Sequence, residues 1–383
     1  MPYLYFFLTF YFIGGRVYYP KSPEPINRRT GIMAQTYHKV GFIAFGQRGQ
    51  QLAETLINYL PEYGCPAAVA DLRPNPAVTP LISFRCPEMK YVTDYHELLA
   101  MPEIDSVIIS TYETSHVQIT KDAIAAGKAV YCEKPIVPDL KSAEELYKFV
   151  TGRKCFFKIG LNLPNFPVAL KLKELLDRKI IGDLIMVRNN TDVGQSFARN
   201  FLINKFSCKR GNFITAKTTH DTDLLQYLAG SYAETVWGKT ANFIWRRHGE
   251  APMTDDTAVM AGTLHSGAMF TQTLTSCGAR YERNIHFLGT GGEIIAEIHG
   301  DSVLVRYANG QEEKIPAPNL NGGGHNGADM VTLRKFFDYV DADIPEASEP
   351  ERILSSVMIP MAAMSNQLVR TGEWYRSIIG SRG

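Results

Sequence analysis

From residue 39 to about residue 150, short runs that are apolar throughout alternate with runs whose apolar residues recur at helical spacing, and this alternation constrains the fold more than any other feature of the chain. "KVGFIAF" precedes "GQQLAETLINYL", "AAVAD" precedes a proline-rich turn, "IDSVIIST" precedes "SHVQITKDAIAAG", and "AVYCEKP" precedes "LKSAEELYKFV". A strand apolar on both faces, as from Ile104 to Ile109, suits the inside of a parallel sheet, and the amphipathic runs between strands suit right-handed crossovers. The expected fold of this part is a doubly wound α/β domain.

After "KCFFKIGLN" the pattern changes. The spacing predicts a helix from Val168 to Arg178 and another that opens at "HDTDLLQYLAG" and stops at Gly230. Between about residues 232 and 316, alternating or β-branched runs such as "TAVMAGTLHSG" and "SVLVRYA" are broken by Gly, Asn and Asp and look antiparallel. Two helices follow, "ADMVTLRKFFDYV" and "RILSSVMIPMAAMSNQLV". A chain of 383 residues exceeds one ordinary core. We therefore expect residues 33–153 to form a dinucleotide-binding domain and residues 154–383 an α+β domain on a mostly antiparallel open sheet, for substrate binding and oligomerisation.

The apolar run "YLYFFLTFYFI" near the start is too short to span a bilayer. No Lys or Arg precedes it and no small-x-small site follows, which argues against a signal peptide. Translation reads as beginning at Met33, with residues 1–32 a disordered leader or a misassigned start. With Lys+Arg 40 against Asp+Glu 39, no net field favours a nucleic acid or a membrane. The six cysteines are widely spaced with no C-x-x-C pair, which excludes a zinc knuckle, a dithiol redox motif or a disulfide scaffold. No metal site is expected, and the thiols suit a reducing, cytoplasmic compartment.

At the end of the first strand, "GFIAFGQRG" places Ala44, Gly46 and Gly49 in the slots of G-x-G-x-x-G, with Gln47 and Arg48 between the last two. The first slot makes the tight turn, the second lets backbone approach a pyrophosphate, and the third lets helix pack on strand. Such a turn is weak evidence alone. Twenty-two residues after Gly49, "PAAVAD" ends in Asp71, where an acid would hydrogen-bond the adenosine ribose and repel a 2'-phosphate. NAD is thereby favoured, while Arg73 leaves NADP open, since a guanidinium accepts that phosphate. The next strand ends in "STYETSH", which puts Thr111 and His116 at the ligand-binding edge of the sheet; Thr111 is expected at the nicotinamide and Ser115 as a helix cap. "EKP" follows the strand after that, so Glu133 and Lys134 share the same edge, and Pro135 holds Lys134 extended. A lysine partly desolvated beside a nicotinamide would exchange a proton with a hydroxyl.

The runs "VGFIAFGQRG", "DYHELLAMPEIDSVIIST", "AIAAGKAVYCEKP", "KELLDRKIIGDLI" and "HDTDLLQYLAG" together resemble the Gfo/Idh/MocA family, the glucose-fructose oxidoreductase and inositol dehydrogenase group, over nearly the whole chain after residue 38. The resemblance implies an N-terminal Rossmann domain and a C-terminal domain whose open sheet packs against another subunit, hence a homodimer or homotetramer. It implies that Lys134 and His220 flank the substrate carbon that trades hydride with the nicotinamide. "GGGHNGAD", residues 322–329, is similar to a glycine-rich segment that brings a histidine, here His325, to the sugar.

On its own chemistry, His220 shares a helix face with Asp223, and an imidazole near a carboxylate titrates close to neutrality. Asp221 and Asp223 in a first turn would complement the helix dipole. The chain departs from the family where many members place an acid four residues before the histidine: it has Ala216 there and Lys217 next, a charged contact either for substrate or for Asp223. "GLNLPNFP" has Pro164 where an arginine is common. The expected function is NAD(P)-dependent interconversion of a secondary hydroxyl and a ketone on a sugar, sugar derivative or cyclitol, with Asn162, Lys217, Asp223 and His325 on the substrate. Glycoside cleavage through transient oxidation and a non-catalytic dinucleotide sensor are the other readings.

Overall fold

The computed structural model describes residues 36–73, 76–201, 212–244, 254–320, 322–345 and 349–380, so the leader at residues 1–32 lies outside the described residues. Six strands, β1 (His38–Ile43), β2 (Gly64–Ala70), β3 (Lys90–Val92), β4 (Ser106–Ile109), β5 (Ala129–Cys132) and β6 (Phe157–Ile159), form an all-parallel sheet in the order β3-β2-β1-β4-β5-β6. Helices α1 (Gln47–Tyr59), α2 (Pro80–Arg85), α3 (Tyr95–Leu99), α4 (Glu113–Ala125) and α5 (Leu140–Thr151) connect them. β4 and β5 are buried at every position, as strands covered on both faces must be. Strand order reverses between β1 and β4, and the loops after β1, β2, β4 and β5 carry the expected coenzyme residues to the crevice that this reversal opens. β6 carries the sheet past residue 153, the boundary expected from sequence.

The second sheet runs β14-β13-β12-β11-β7-β10-β9-β8, from β7 (Leu184–Gly194), β8 (Ala233–Ala241), β9 (Thr257–Leu264), β10 (Met269–Gly278), β11 (Glu282–Gly289), β12 (Gly292–Glu297), β13 (Ser302–Tyr307) and β14 (Glu312–Pro316). All its pairs are antiparallel except β7 with β10. The remaining helices are α6 (Pro167–Asp177), α7 (Gln195–Phe201), α8 (Phe213–Ala229), α9 (Ala328–Asp341), α10 (Glu351–Ala363) and α11 (Thr371–Ile379). Val187, Asn189 and Thr191 are buried on the face that α8 covers, while Trp237, Val259 and Met269 stand exposed on the opposite rows. Among the described residues, no helix is long and apolar enough to cross a membrane.

Two sequence expectations change in detail. The helix expected to open at His220 starts at Phe213, where the Asn212 side chain accepts from the amides of Ile214 (2.8 Å) and Thr215 (3.4 Å). The polar string at residues 218–223 therefore lies inside a helix, not at its mouth. Thr218 and Thr219 return their hydroxyls to the carbonyls of Ile214 and Thr215, one turn back, which is how buried threonines are satisfied there. The chain beyond residue 320 also returns to the first sheet: Leu333, Phe336 and Phe337 of α9 share an apolar cluster with Phe42, Phe45, Leu52 and Leu56. Each fully buried phenylalanine contributes roughly 1.5–3 kcal/mol, enough to hold the glycine-rich segment before α9 against the coenzyme side.

Candidate active site

The turn after β1 shows the three slots at work. Ala44 sits at φ +65°, the left-handed conformation that makes glycine the usual occupant. A Cβ on Gly46 would meet nothing within 4 Å, so open space lies above the first turn of α1, whose amides have no side-chain cap. A Cβ on Gly49 would lie 2.8 Å from both the Ala44 carbonyl and Ser110 Oγ, the close helix-to-strand approach that slot requires. Backbone amides facing open space at a helix N-terminus suit a pyrophosphate. Gln47 is exposed at this turn. Asp71 accepts from the Phe45 amide at 2.8 Å and is gripped by the Arg73 guanidinium at 2.8 Å on each oxygen. The Arg73 hydrogen bonds hold its carboxyl down at about 2.

At the next strand ends the expectations are partly corrected. The His116 ring is buried, with Nδ1 2.8 Å from the Pro135 carbonyl and Nε2 3.1 Å from that of Thr111, so it braces the loop carrying Lys134. Ser115 does not cap α4; its hydroxyl oxygen lies 2.9 Å from both Thr111 Oγ1 and the Tyr112 carbonyl. Glu133 and Arg48, both expected at the coenzyme, are bonded to each other, Nε to Oε1 at 2.7 Å.

Lys134, on a cis bond to Pro135, donates from Nζ to the carbonyl of Ala216 at 3.0 Å. Ala216 lies one turn before His220 on the same face of α8, so the ammonium and the imidazole, 86 positions apart in sequence, come to one place. His220 is partly exposed, while its Nδ1 is buried with no partner among the described residues. Burial, then the positive charges of Lys134, Arg283, His325 and Arg48, push the His220 imidazole well below 6.5. The near-neutral titration expected from Asp223 is thus overturned. Asp223 is buried and clasped by Arg352, Nε to Oδ1 at 2.8 Å and Nη2 to Oδ2 at 2.5 Å, so it anchors α8 to α10, and its carboxylate oxygens bond to Arg352 and not to Lys217. Lys217 is buried with Nζ 4.1 Å from the Phe197 ring and 5.9 Å from the Tyr281 ring.

Asn162 and His325 meet on one carboxylate, that of Asp329: Asn162 Nδ2 donates to Oδ1 at 2.7 Å, and His325 Nδ1 lies 2.8 Å from Oδ2. Because a carboxylate only accepts, the Asn162 amide nitrogen must face it, leaving the buried Oδ1 of Asn162 with no partner among the described residues.

The match to known proteins agrees with this geometry. The oxidoreductase family with an NAD-binding Rossmann fold, Gfo/Idh/MocA, matches residues 38–161, and the Gfo/Idh/MocA C-terminal domain matches residues 169–295. This chain belongs to the Gfo/Idh/MocA family. The coenzyme of its first domain is NAD. Inositol 2-dehydrogenase of Rhizobium meliloti (strain 1021) is 25% identical over 230 residues, 60% of this chain and 67% of that one. The uncharacterized oxidoreductase YrbE of Bacillus subtilis (strain 168) is 27% identical over 217 residues, 55% of this chain and 60% of that protein, so the chain spans less than two thirds of its length. Levoglucosan dehydrogenase in complex with NADH shares the fold at TM-score 0.76 and 19% identity, over 88% of this chain and 99% of that one.

Several residues of this Gfo/Idh/MocA site carry no sequence signal. Arg283 on β11 donates from Nε to Asp221 Oδ1 (2.9 Å), which also accepts from Thr191 (2.9 Å), a buried pair beneath His220. Only the antiparallel pairing brings the end of β7, the start of β11 and the end of β12 together, and with them Phe197, Tyr281 and His299. Tyr281 stacks edge-on against His299 at 5.5 Å, and His299 against Phe166 at 5.4 Å, an aromatic wall between Lys217 and His325. Asp329, by contrast, stood four residues after His325 in "GGGHNGAD", an i, i+4 spacing that could have revealed the pair.

Proposed function

We propose that the chain interconverts a secondary hydroxyl and a ketone on a sugar, sugar derivative or cyclitol with NAD. The observation that carries this reading is the Lys134 ammonium docked one turn from a neutral His220, at the carboxyl edge of a sheet with an open pyrophosphate turn. The first turn of α1 would hold the pyrophosphate and Asp71 the ribose, where its charge disfavours a 2'-phosphate. Bound there, NAD supplies the hydride acceptor. The protein's part is the proton. An imidazole kept neutral by burial and by neighbouring cations offers an acceptor nitrogen for the hydroxyl proton. The ammonium of Lys134 stabilises the oxygen as that proton leaves. Asn162 and His325, both held on Asp329, orient the remaining hydroxyls.

The names of relatives, inositol 2-dehydrogenase and levoglucosan dehydrogenase, support a neutral polyhydroxylated substrate. The exposed outer face of the second sheet, with Trp237, Val259 and Met269, supports assembly into a homodimer or homotetramer. A panel of cyclitols, hexoses and anhydrosugars with NAD tests the reading. NADH formation with at least one, abolished in Lys134→Met, is expected; aglycone release from glycosides without net NADH would replace it with the cleavage route.

A further inference from the structure

We propose that Arg48 is a positioning residue and not a coenzyme ligand: one guanidinium ties the helix behind the pyrophosphate turn to Glu133 and Asp329, and through Asp329 sets His325 and Asn162. This rests on the reading above only in calling the His325 side the substrate side.

Three of the five guanidinium N–H groups are engaged, one on each nitrogen. Nε donates to Glu133 Oε1 at 2.7 Å, Nη1 to Asp329 Oδ2 at 2.7 Å and Nη2 to Asp329 Oδ1 at 2.8 Å, joining positions 85 and 281 residues away in the chain. One positive charge faces two carboxylates, so the cluster has no surplus cation to offer a pyrophosphate. The chain makes room for both acids with glycines: a Cβ on Gly160 would lie 2.9 Å from the Glu133 carboxyl, and one on Gly324 would lie 2.5 Å from Asp329 Oδ2. Glycine at 324 therefore serves the clamp, independently of any sugar.

Asp329 is fully buried and takes four donors, two from Arg48 and one each from Asn162 and His325. His325 and Asn326 sit at φ +52° and +54°, a conformation that non-glycine residues hold only where surroundings fix them. His325 is tied to the Arg48 fork through Asp329, and Asn326 donates to the His299 carbonyl at 3.5 Å. Glu133 also accepts from the Lys134 amide at 3.3 Å, so the same side chain reaches the reacting lysine from behind.

Arg48→Lys keeps the charge and loses the fork. In this variant, amide exchange across residues 322–329 should accelerate by about tenfold or more. NADH affinity, read by nicotinamide fluorescence, should stay within about threefold, far less than loss of a phosphate-bound arginine would cause. With a polyol that turns over, KM for the polyol should rise about tenfold while KM for NAD holds. A fall in NADH affinity of about tenfold, or unchanged exchange at 322–329, overturns the proposal. Should Arg48→Lys fail to fold, Asp329→Asn, which leaves the Arg48–Glu133 pair intact, must give the same exchange and affinity pattern. Exchange and NADH binding need no substrate, so a polyol panel without turnover counts against the functional reading alone.

Discussion

The ammonium of Lys134 donates to the carbonyl of Ala216, and because Ala216 lies one turn before His220 this single hydrogen bond brings the two candidate reacting groups onto one pocket. The contact is to the main chain, so it does not depend on the side chain at position 216.

Replacing Lys134 by methionine should lower turnover by about a hundredfold or more, the usual scale for a lost proton-transfer or oxyanion-stabilising group. NADH titration checks that the coenzyme still binds, as it should if the lysine serves the hydroxyl.

The pH dependence follows from His220. Its folded-state pKa lies well below 6.5, so at pH 7 the ring is neutral and able to accept a proton, and oxidation should keep its rate as pH falls to 6.5. Since the unfolded state binds the proton more readily, this group destabilises the fold as pH drops through 6.5. Burial is the larger cause and the Lys134 charge the next, so the acidic limb of the rate profile should move upward in any active Lys134 variant that loses the charge. Rate profiles from pH 5 to 8 test both statements.

His38 has the opposite sign. Burial lowers its pKa, but Asp105 at 3.0 Å and Asp341 at 3.2 Å outweigh that and raise it above 6.5. Its contribution is fully present below 6.5 and lost as pH rises through the raised value. His38→Gln should therefore lower the melting temperature more at pH 6 than at pH 8.5, and thermal unfolding at the two pH values measures the difference. The bond to Asp341 joins β1 to α9, so the loss should loosen the return of the chain onto the first sheet.

Removing Arg352 strands Asp223 in the interior. Arg352→Met should cost about 3–5 kcal/mol in denaturant titration, the penalty for breaking a buried pair on one side. The double change Arg352→Met with Asp223→Leu should recover part of it, because Asp223 then leaves no stranded carboxylate and Glu349 keeps Lys158 as its partner at 2.8 Å.

The glycine turn separates binding from stability. Gly46→Ala adds a methyl into open space at φ −73°, so the fold should tolerate it while NADH binding weakens. Gly49→Ala drives a Cβ against Ala44 and Ser110, so melting temperature should fall.

The parallel sheet was legible because its strands are apolar on both faces and its crossovers amphipathic, while Lys134 and His220 were singled out as a pair through the family resemblance. The start of α8 was not, since Thr218, Thr219 and Thr222 look like cap residues until their burial shows the hydroxyls bonded within the helix or to Gln272. Nor was the fate of Asp223: local spacing pairs it with His220, and only the packing of α10 supplies Arg352, 129 residues away. Ion pairs between distant segments leave no periodic trace, so Arg48 read as part of a coenzyme turn when its partners are Glu133 and Asp329.

A crystal structure with NADH and a polyol that turns over tests the central claim most directly. The carbinol carbon should lie about 3–3.5 Å from the hydride-carrying carbon of the nicotinamide, with its hydroxyl in hydrogen-bond reach of both Lys134 Nζ and His220. A nicotinamide lying away from those two side chains, or a polyol whose reacting hydroxyl contacts neither, would contradict it.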